Sequence, residues 1–298
     1  MNQELTKKQF TILALLATEK KPLSVRQITE KTGYTAAVVS PVLEQLAASG
    51  CVKDGAITDA GRSALEPYRA KRAVFIAAGF GSRLVPITFN TPKPLVRVRG
   101  VRIIDRLIDA CLAAGIDEIY IVRGYLAEQF DQLLYKYPMV RFLENPVYNE
   151  ANNISSSLVA RHLLANAYVF EADLLISNPG IITKYHYTSD FLAIRKARTD
   201  DWCFTVKDGV ITEQKVGGTD CWQMVGISYW NGADGERLSR DIADVYASPG
   251  GRERYWEQVP LAYCKDHYAV AVRECFDEDI VEIDTFRELK SIDQTYDV

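Results

Sequence analysis

Histidine is scarce, with three residues, and no Cys-x-x-Cys or Cys/His group at zinc-ligand spacing occurs. The six cysteines (Cys51, Cys111, Cys203, Cys221, Cys264 and Cys275) are scattered, several of them within apolar runs. They read as reduced structural residues that pack as small hydrophobes. No apolar run approaches the roughly 20 residues that cross a bilayer, so no membrane partner is expected. The short apolar stretch of "MNQELTKKQFTILALLATEKK" follows an acid and precedes no small-residue cleavage site; it reads as an amphipathic helix of a cytoplasmic protein. A positive excess is also missing: the net charge of −4 gives no general reason to expect nucleic acid. Neither common phosphate loop is present. "GFGSRL" has Leu84 where G-x-G-x-x-G needs its third glycine, and G-K-[ST] does not occur. Internal repeats and low-complexity segments are lacking as well.

What remains is an ordinary soluble composition, 48% hydrophobic and 25% charged, in a chain of 298 residues. That length is generous for one core and suggests a small plus a larger domain. Residues 1–70 form the first. Residues 5–18 are helix-like; "LSVRQITEKTG" gives a second helix, with Ser24 as N-cap and Gly33 as stop; "TAAVVSPVLEQLAASG" gives a third, ended by Gly50. "CVKDGAIT" is a small hairpin around Asp54-Gly55, and "DAGRSALEPY" a last helix. Three helices and a β-wing resemble a winged helix-turn-helix domain. Residues 1–72 carry eleven Lys or Arg and seven Asp or Glu, but the recognition-helix position, 35–49, has no cation. Base edges and phosphates need reaching donors and cations. DNA is therefore weakly supported as a partner, and a regulatory or homodimerising use competes with it.

From residue 72 strands and helices alternate. "RAVFIAA", "DEIYIVRG", "VRFLEN" and "AYVFEADLLI" read as strands. "RIIDRLIDACLAAG", "YLAEQFDQLLYKY" and "NISSSLVARHLLA" read as helices, the last capped by Asn152 or Asn153. The fold class is α/β: a mostly parallel mixed sheet flanked by helices. After about residue 190 the pattern turns β-rich, with a hairpin at Asp208-Gly209, two helical stretches, the strands "YAVAVRE" and "IVEID", and a final helix "TFRELKSID".

The stretch "AAGFGSRLVPITFNTPKPL", residues 77–95, follows the first of these strands, where ligands sit in open α/β sheets. Gly79 and Gly81 let backbone amides approach an anion and allow positive φ. Arg83 can fork onto phosphate oxygens, and Lys93, set between Pro92 and Pro94, adds a compact cation. The pattern G-x-G-x-R followed by P-K-P-L resembles the signature of the sugar-1-phosphate nucleotidylyltransferase superfamily. That resemblance implies a Rossmann-like catalytic domain over 73–298. It also implies that Ala78, Gly79, Gly81, Ser82 and Arg83 cradle the triphosphate, with Lys93 and Arg83 catalytic. Chemistry of this kind is mostly positioning and charge neutralisation, usually with Mg²⁺. Asp173 in "VFEADLLI" and Asp284 in "IVEIDTF" are the expected metal ligands, the first matching the superfamily's "GD" aspartate although Ala172 stands for the glycine.

Trp202, Trp222, Trp230 and Trp256 all lie in the C-terminal part, two of them beside carboxylates in "TDDWCF" and "RYWEQV". Aromatic faces near carboxylates suit a quaternary ammonium, which donates no hydrogen bond; core packing is the alternative for Trp222 and Trp230. In order, "IVRGYLAEQFDQL", "NPVYNEANNISSSLVARHLLA", "VFEADLLI", "DDWCF", "GISYWN", "RYWEQV" and "EIDTFREL" resemble the bacterial CTP:phosphocholine cytidylyltransferases, which activate phosphocholine for surface glycans. The resemblance implies CTP and phosphocholine as substrates and CDP-choline and pyrophosphate as products. Trp202 and Trp256 would wall the choline pocket with Tyr255 and Glu257, and Asn152 and Asn153 would lie near base or ribose. A phosphate monoester with a second pKa of about 6 needs no general base. Two rivals stand beside this reading: a nucleotidylyltransferase for another phosphorylated amine or a sugar 1-phosphate, and a regulator that senses a nucleotide or choline metabolite.

Overall fold

The structure, a computed structural model, describes residues 4–297. It divides into two compact units. One runs up to Arg69 and includes Tyr185–Tyr187; the other comprises Ala70–Lys184 and the chain from Thr188 on.

In the first unit, helices α1 (Lys7–Thr18), α2 (Val25–Thr32) and α3 (Ala36–Ala48) precede a hairpin of β1 (Val52–Lys53) and β2 (Ala56–Ile57), then α4 (Asp59–Leu65). The local chemistry explains these boundaries. Thr6 and Ser24 each close a capping box with a glutamine three residues on, satisfying amides that a helix start leaves open. Gly33 ends α2 in the left-handed region at φ 70°. Asp54 and Gly55, at φ 51° and 75°, supply the two positive φ values of a tight hairpin turn. Ile12, Leu13, Ile28, Val39, Leu46 and Leu65 form this unit's core.

The second unit is built on β3 (Arg72–Ile76), the short pair β4 (Arg97–Val98) and β5 (Val101–Arg102), α5 (Ile103–Ala113), β6 (Glu118–Arg123), β7 (Arg141–Glu144), α6 (Ile154–Ala160), β8 (Ala167–Glu171) and β9 (Leu174–Ile176). The long strands β10 (Asp190–Lys207) and β11 (Val210–Trp230) follow, then α7 (Gly232–Ala247), β12 (Ala271–Cys275), β13 (Ile280–Glu282) and α8 (Phe286–Ile292). Seven strands make one sheet in the order β10-β12-β11-β8-β3-β6-β7, parallel among β8, β3, β6 and β7 and antiparallel between β8 and β11. The central parallel strands β3, β6 and β8 are covered on both faces and are apolar nearly throughout. Phe75, Ile119, Ile121, Tyr168 and Phe170 point into one core with α5. Val74, Val122 and Val169, one residue out of step, point into the other with Trp230, Trp256 and residues of α6 and α7.

Four expectations are modified. "AYVFEADLLI" is not one strand: β8 stops at Glu171, and β9 leaves the main sheet to pair antiparallel with β13. The β-rich stretch after residue 190 is a single long hairpin, turned at Asp208 and Gly209, with irregular register around Thr199–Thr205. "YLAEQFDQLLYKY" winds as 3₁₀ turns over Ala127–Tyr135. Asn153 does occupy the N-cap position of α6, but its side chain makes no capping bond; the amide is engaged elsewhere, as described below.

Candidate active site

The chain leaves β3 at Ile76 and enters the glycine loop. Gly81 has φ 67°, and a Cβ there would stand 3.1 Å from Cβ of Lys93, so the glycine serves both the turn and the approach of the lysine. Gly79 differs from expectation: its φ is not positive. A Cβ on it would meet nothing within 4 Å, so it borders open space. Among the described residues, the amides of Gly79, Phe80 and Gly81 donate to no protein acceptor. Unpaired amides converging at a strand end make an anion cradle.

Lys93 is buried, and its ammonium is 2.7 Å from Asp173 Oδ2 and 3.1 Å from Asp284 Oδ1. Burial works against the charge of Lys93, but the two carboxylates outweigh it and hold the ammonium above its ordinary range. Arg83 donates to Asp284 from the other side. Residues far apart in sequence meet here because β9 pairs with β13: Leu174 lies opposite Glu282, and the amide of Ile283 reaches the carbonyl of Asp173 at 3.2 Å. The two aspartates flank this short ladder at the same end. A cavity of about 260 Å³ results, lined by Gly79, Gly81, Ser82, Arg83, Lys93 and the two aspartates, with Ala172 at its wall. Ala78 does not line it, being packed in the core.

Two acids that sequence reasoning missed stand beside Asp173. Glu171, Asp173 and Glu282 each place a carboxylate oxygen within 4.8 Å of the others. Burial, then the charges of Asp173 and Asp284, push the Glu282 carboxyl up to about 9. Glu171 is pushed well above the usual carboxylate range by burial and by Glu257, which faces it and is itself raised by burial. Gly226 makes room for this pair, since a Cβ there would come within 2.2 Å of Glu171 Oε2. Hard divalent cations take oxygen ligands. The carboxylates of Asp173, Asp284 and Glu282 fit Mg²⁺, and Asp173 Oδ1, buried with no hydrogen-bond partner among the described residues, is an acceptor left over for it. The signal for Glu171 and Glu282 was present in the spellings E-A-D and E-I-D, one acid two residues ahead of each expected ligand.

The remaining residues divide. Trp202 is half-buried and meets Tyr255 edge-on, ring centroids 5.9 Å apart, with Tyr255 exposed. Trp256 lies in the core, stacked on Phe191 and edge-on to Trp230. This corrects its expected role as a pocket wall, because both core neighbours cover the ring and it is 2% exposed. Trp230 is likewise core, and Trp222 carries Arg195 over its ring. Asn152 and Asn153 do not line the cavity. Asn153 Oδ1 accepts from the Trp256 amide at 2.8 Å and its Nδ2 donates toward Glu257, while Asn152 binds the backbone of Arg252 and Glu253. Their place is to fix the segment that carries Tyr255, Trp256 and Glu257.

Comparison with known proteins agrees with this geometry. A family model described as nucleotidyl transferase matches residues 72–207, and one described as IclR helix-turn-helix domain matches residues 6–54. A 2-aminoethylphosphonate cytidylyltransferase of Lancefieldella rimae is 37% identical over 231 residues, 75% of this chain and 92% of that protein. A choline-phosphate cytidylyltransferase of Streptococcus pneumoniae is 32% identical over 75% of this chain and 97% of its own length. A solved CTP:phosphocholine cytidylyltransferase from Streptococcus pneumoniae superposes with a TM-score of 0.69 at 30% identity, covering 76% of this chain and 99% of that one. Among the described residues no helix is long and apolar enough to cross a membrane.

Proposed function

Because the chain belongs to the nucleotidyl transferase family, we propose that it transfers a cytidylyl group from CTP to a small acceptor bearing a phosphoryl or phosphonyl group and a cationic amine. The observation that carries this reading is the Lys93 ammonium held between Asp173 and Asp284 at the end of the glycine loop. The loop amides and Arg83 bind the triphosphate, and Lys93 follows the charge that develops as the acceptor oxygen attacks the α-phosphorus and pyrophosphate leaves. Asp173 and Asp284, with Glu282 beside them, would hold Mg²⁺, which when bound neutralises phosphate charge. The acceptor oxygen is already ionised, so no protein base is assigned. The names of the similar enzymes support cytosine as the base.

For the acceptor, the similarity to a 2-aminoethylphosphonate cytidylyltransferase, 37% identical over 75% of this chain, supports a primary ammonium, as in 2-aminoethylphosphonate. Phosphocholine is the second reading, favoured by the Trp202–Tyr255 pair, whose aromatic faces suit a methylated cation. The N-terminal unit, with no cation on α3, is assigned a regulatory or self-associating role ahead of operator binding. Pyrophosphate release with Mg²⁺ tests the whole reading: CTP against UTP, ATP and dTTP, each with 2-aminoethylphosphonate, phosphocholine, phosphoethanolamine and glucose 1-phosphate. Turnover is expected with CTP and the aminophosphonate first. Turnover with phosphocholine alone selects the second reading, and release with no pair rejects the enzyme.

A further inference from the structure

A second cluster of ligating groups lies outside the cavity of the glycine loop. Helix α7 contributes Asp241. The segment after the π-helical turn Val259–Tyr263 contributes Cys264 and His267. One donor atom from each of the three lies within 4.8 Å of the others. We propose that Asp241, Cys264 and His267 form a Zn²⁺ site of three protein ligands, its fourth position open to water.

The donor set decides the metal. A thiolate and an imidazole are poor ligands for Mg²⁺ or Ca²⁺, whereas sulfur, nitrogen and carboxylate oxygen together are the usual donors of Zn²⁺. The frame is built. His267 Nδ1 and the Tyr268 hydroxyl both meet Asp241 Oδ2, at 2.8 and 2.5 Å. The His267 amide closes the turn on the Cys264 carbonyl at 2.9 Å, and Arg237 ties the His267 carbonyl back to α7 at 2.6 Å. Tetrahedral Zn²⁺ with bonds of about 2.0–2.3 Å puts neighbouring ligands roughly 3.3–3.8 Å apart. With the donor atoms within 4.8 Å of one another and His267 Nδ1 at 2.8 Å from Asp241 Oδ2, adjustments of up to about 1 Å reach these separations. His267 is exposed and can supply them by rotation, while Asp241 is buried and stays. Bound zinc would clip α7 to the turn that follows Tyr255, Trp256 and Glu257.

The test is a titration of metal-free full-length protein with Co²⁺, followed by displacement with Zn²⁺. The expected result is a sulfur-to-cobalt charge-transfer band with tetrahedral ligand-field bands, at one metal per chain, lost on Zn²⁺ addition. The carboxylates of the active site hold no sulfur and cannot produce that band. Cys264→Ser removes it and Cys203→Ser leaves it. His267→Gln, at an exposed position that tolerates change, weakens Zn²⁺ at least about tenfold and abolishes the rise in Tm that Zn²⁺ gives the unaltered protein. A folded protein with no thiolate band, a band that survives Cys264→Ser, or His267→Gln with unchanged Zn²⁺ affinity overturns the proposal. Should Cys264→Ser fail to fold, the His267→Gln measurement decides alone.

Discussion

At the scale of single residues, the lysine of the P-K-P-L stretch concentrates the chemistry. Its two carboxylate partners hold it charged, and they fix its nitrogen to within hydrogen-bond distance of both expected metal ligands. Removing such a charge-stabilising donor costs roughly 100- to 1000-fold in turnover. Lys93→Ala should therefore lose about that factor in kcat, read by pyrophosphate release, with circular dichroism unchanged; full turnover would remove Lys93 from the reaction. Gly81 makes a subtler case. Alanine there meets both a positive φ and a Cβ contact 3.1 Å from Lys93, so Gly81→Ala should lower kcat by displacing the lysine. Gly79→Ala, with open space around its Cβ, should mainly raise KM for CTP.

At the scale of elements, the small β9–β13 ladder is what makes a site. Without it Asp173 and Asp284, 111 positions apart, would not meet. The end of the sheet that carries β10 and β12 is held by another buried pair. Arg273 on β12 donates to Asp190 on β10 at 3.0 Å, and the same guanidinium reaches the carbonyl of Ile181 and the hydroxyl of Tyr168 at 3.3 Å. Truncating one partner leaves a buried charge uncompensated, which costs about 3–5 kcal/mol. Asp190→Ala should lose stability on that scale in urea unfolding, whereas Asp190→Asn, which keeps an acceptor, should lose less. Equal losses would mean that the negative charge, which both variants remove, rather than the accepted hydrogen bond holds the position.

At the scale of the whole molecule, two units of different chemistry share one chain. The first has the capping, turn and core of a helix-turn-helix domain, yet α3 carries neither lysine nor arginine. Full-length protein should therefore show no sequence-selective retention of DNA fragments near physiological salt. A salt-sensitive shift that one fragment alone produces would restore operator binding. The second unit contains the complete set of candidate catalytic groups, so its nucleotide preference should follow from residues between the glycine loop and α8.

Local chemistry was legible in the sequence. The N-cap at Ser24, the turns at Asp54-Gly55 and Asp208-Gly209, and the apolar runs of β3, β6 and β8 are all governed by neighbours within a few residues. The G-x-G-x-R and P-K-P-L spacing likewise pointed to a phosphate site, because a loop that wraps an anion is written in consecutive residues. Tertiary structure decided what depends on long-range pairing. The departure of β9 to join β13 set Glu171 and Glu282 beside Asp173, and core packing took Trp256 out of the expected pocket. The Cys264-x-x-His267 pair was present in the sequence and was passed over; its meeting with Asp241 was hidden. Spacing along the chain describes a ligand set only when one turn supplies it, and here a helix supplies the third member.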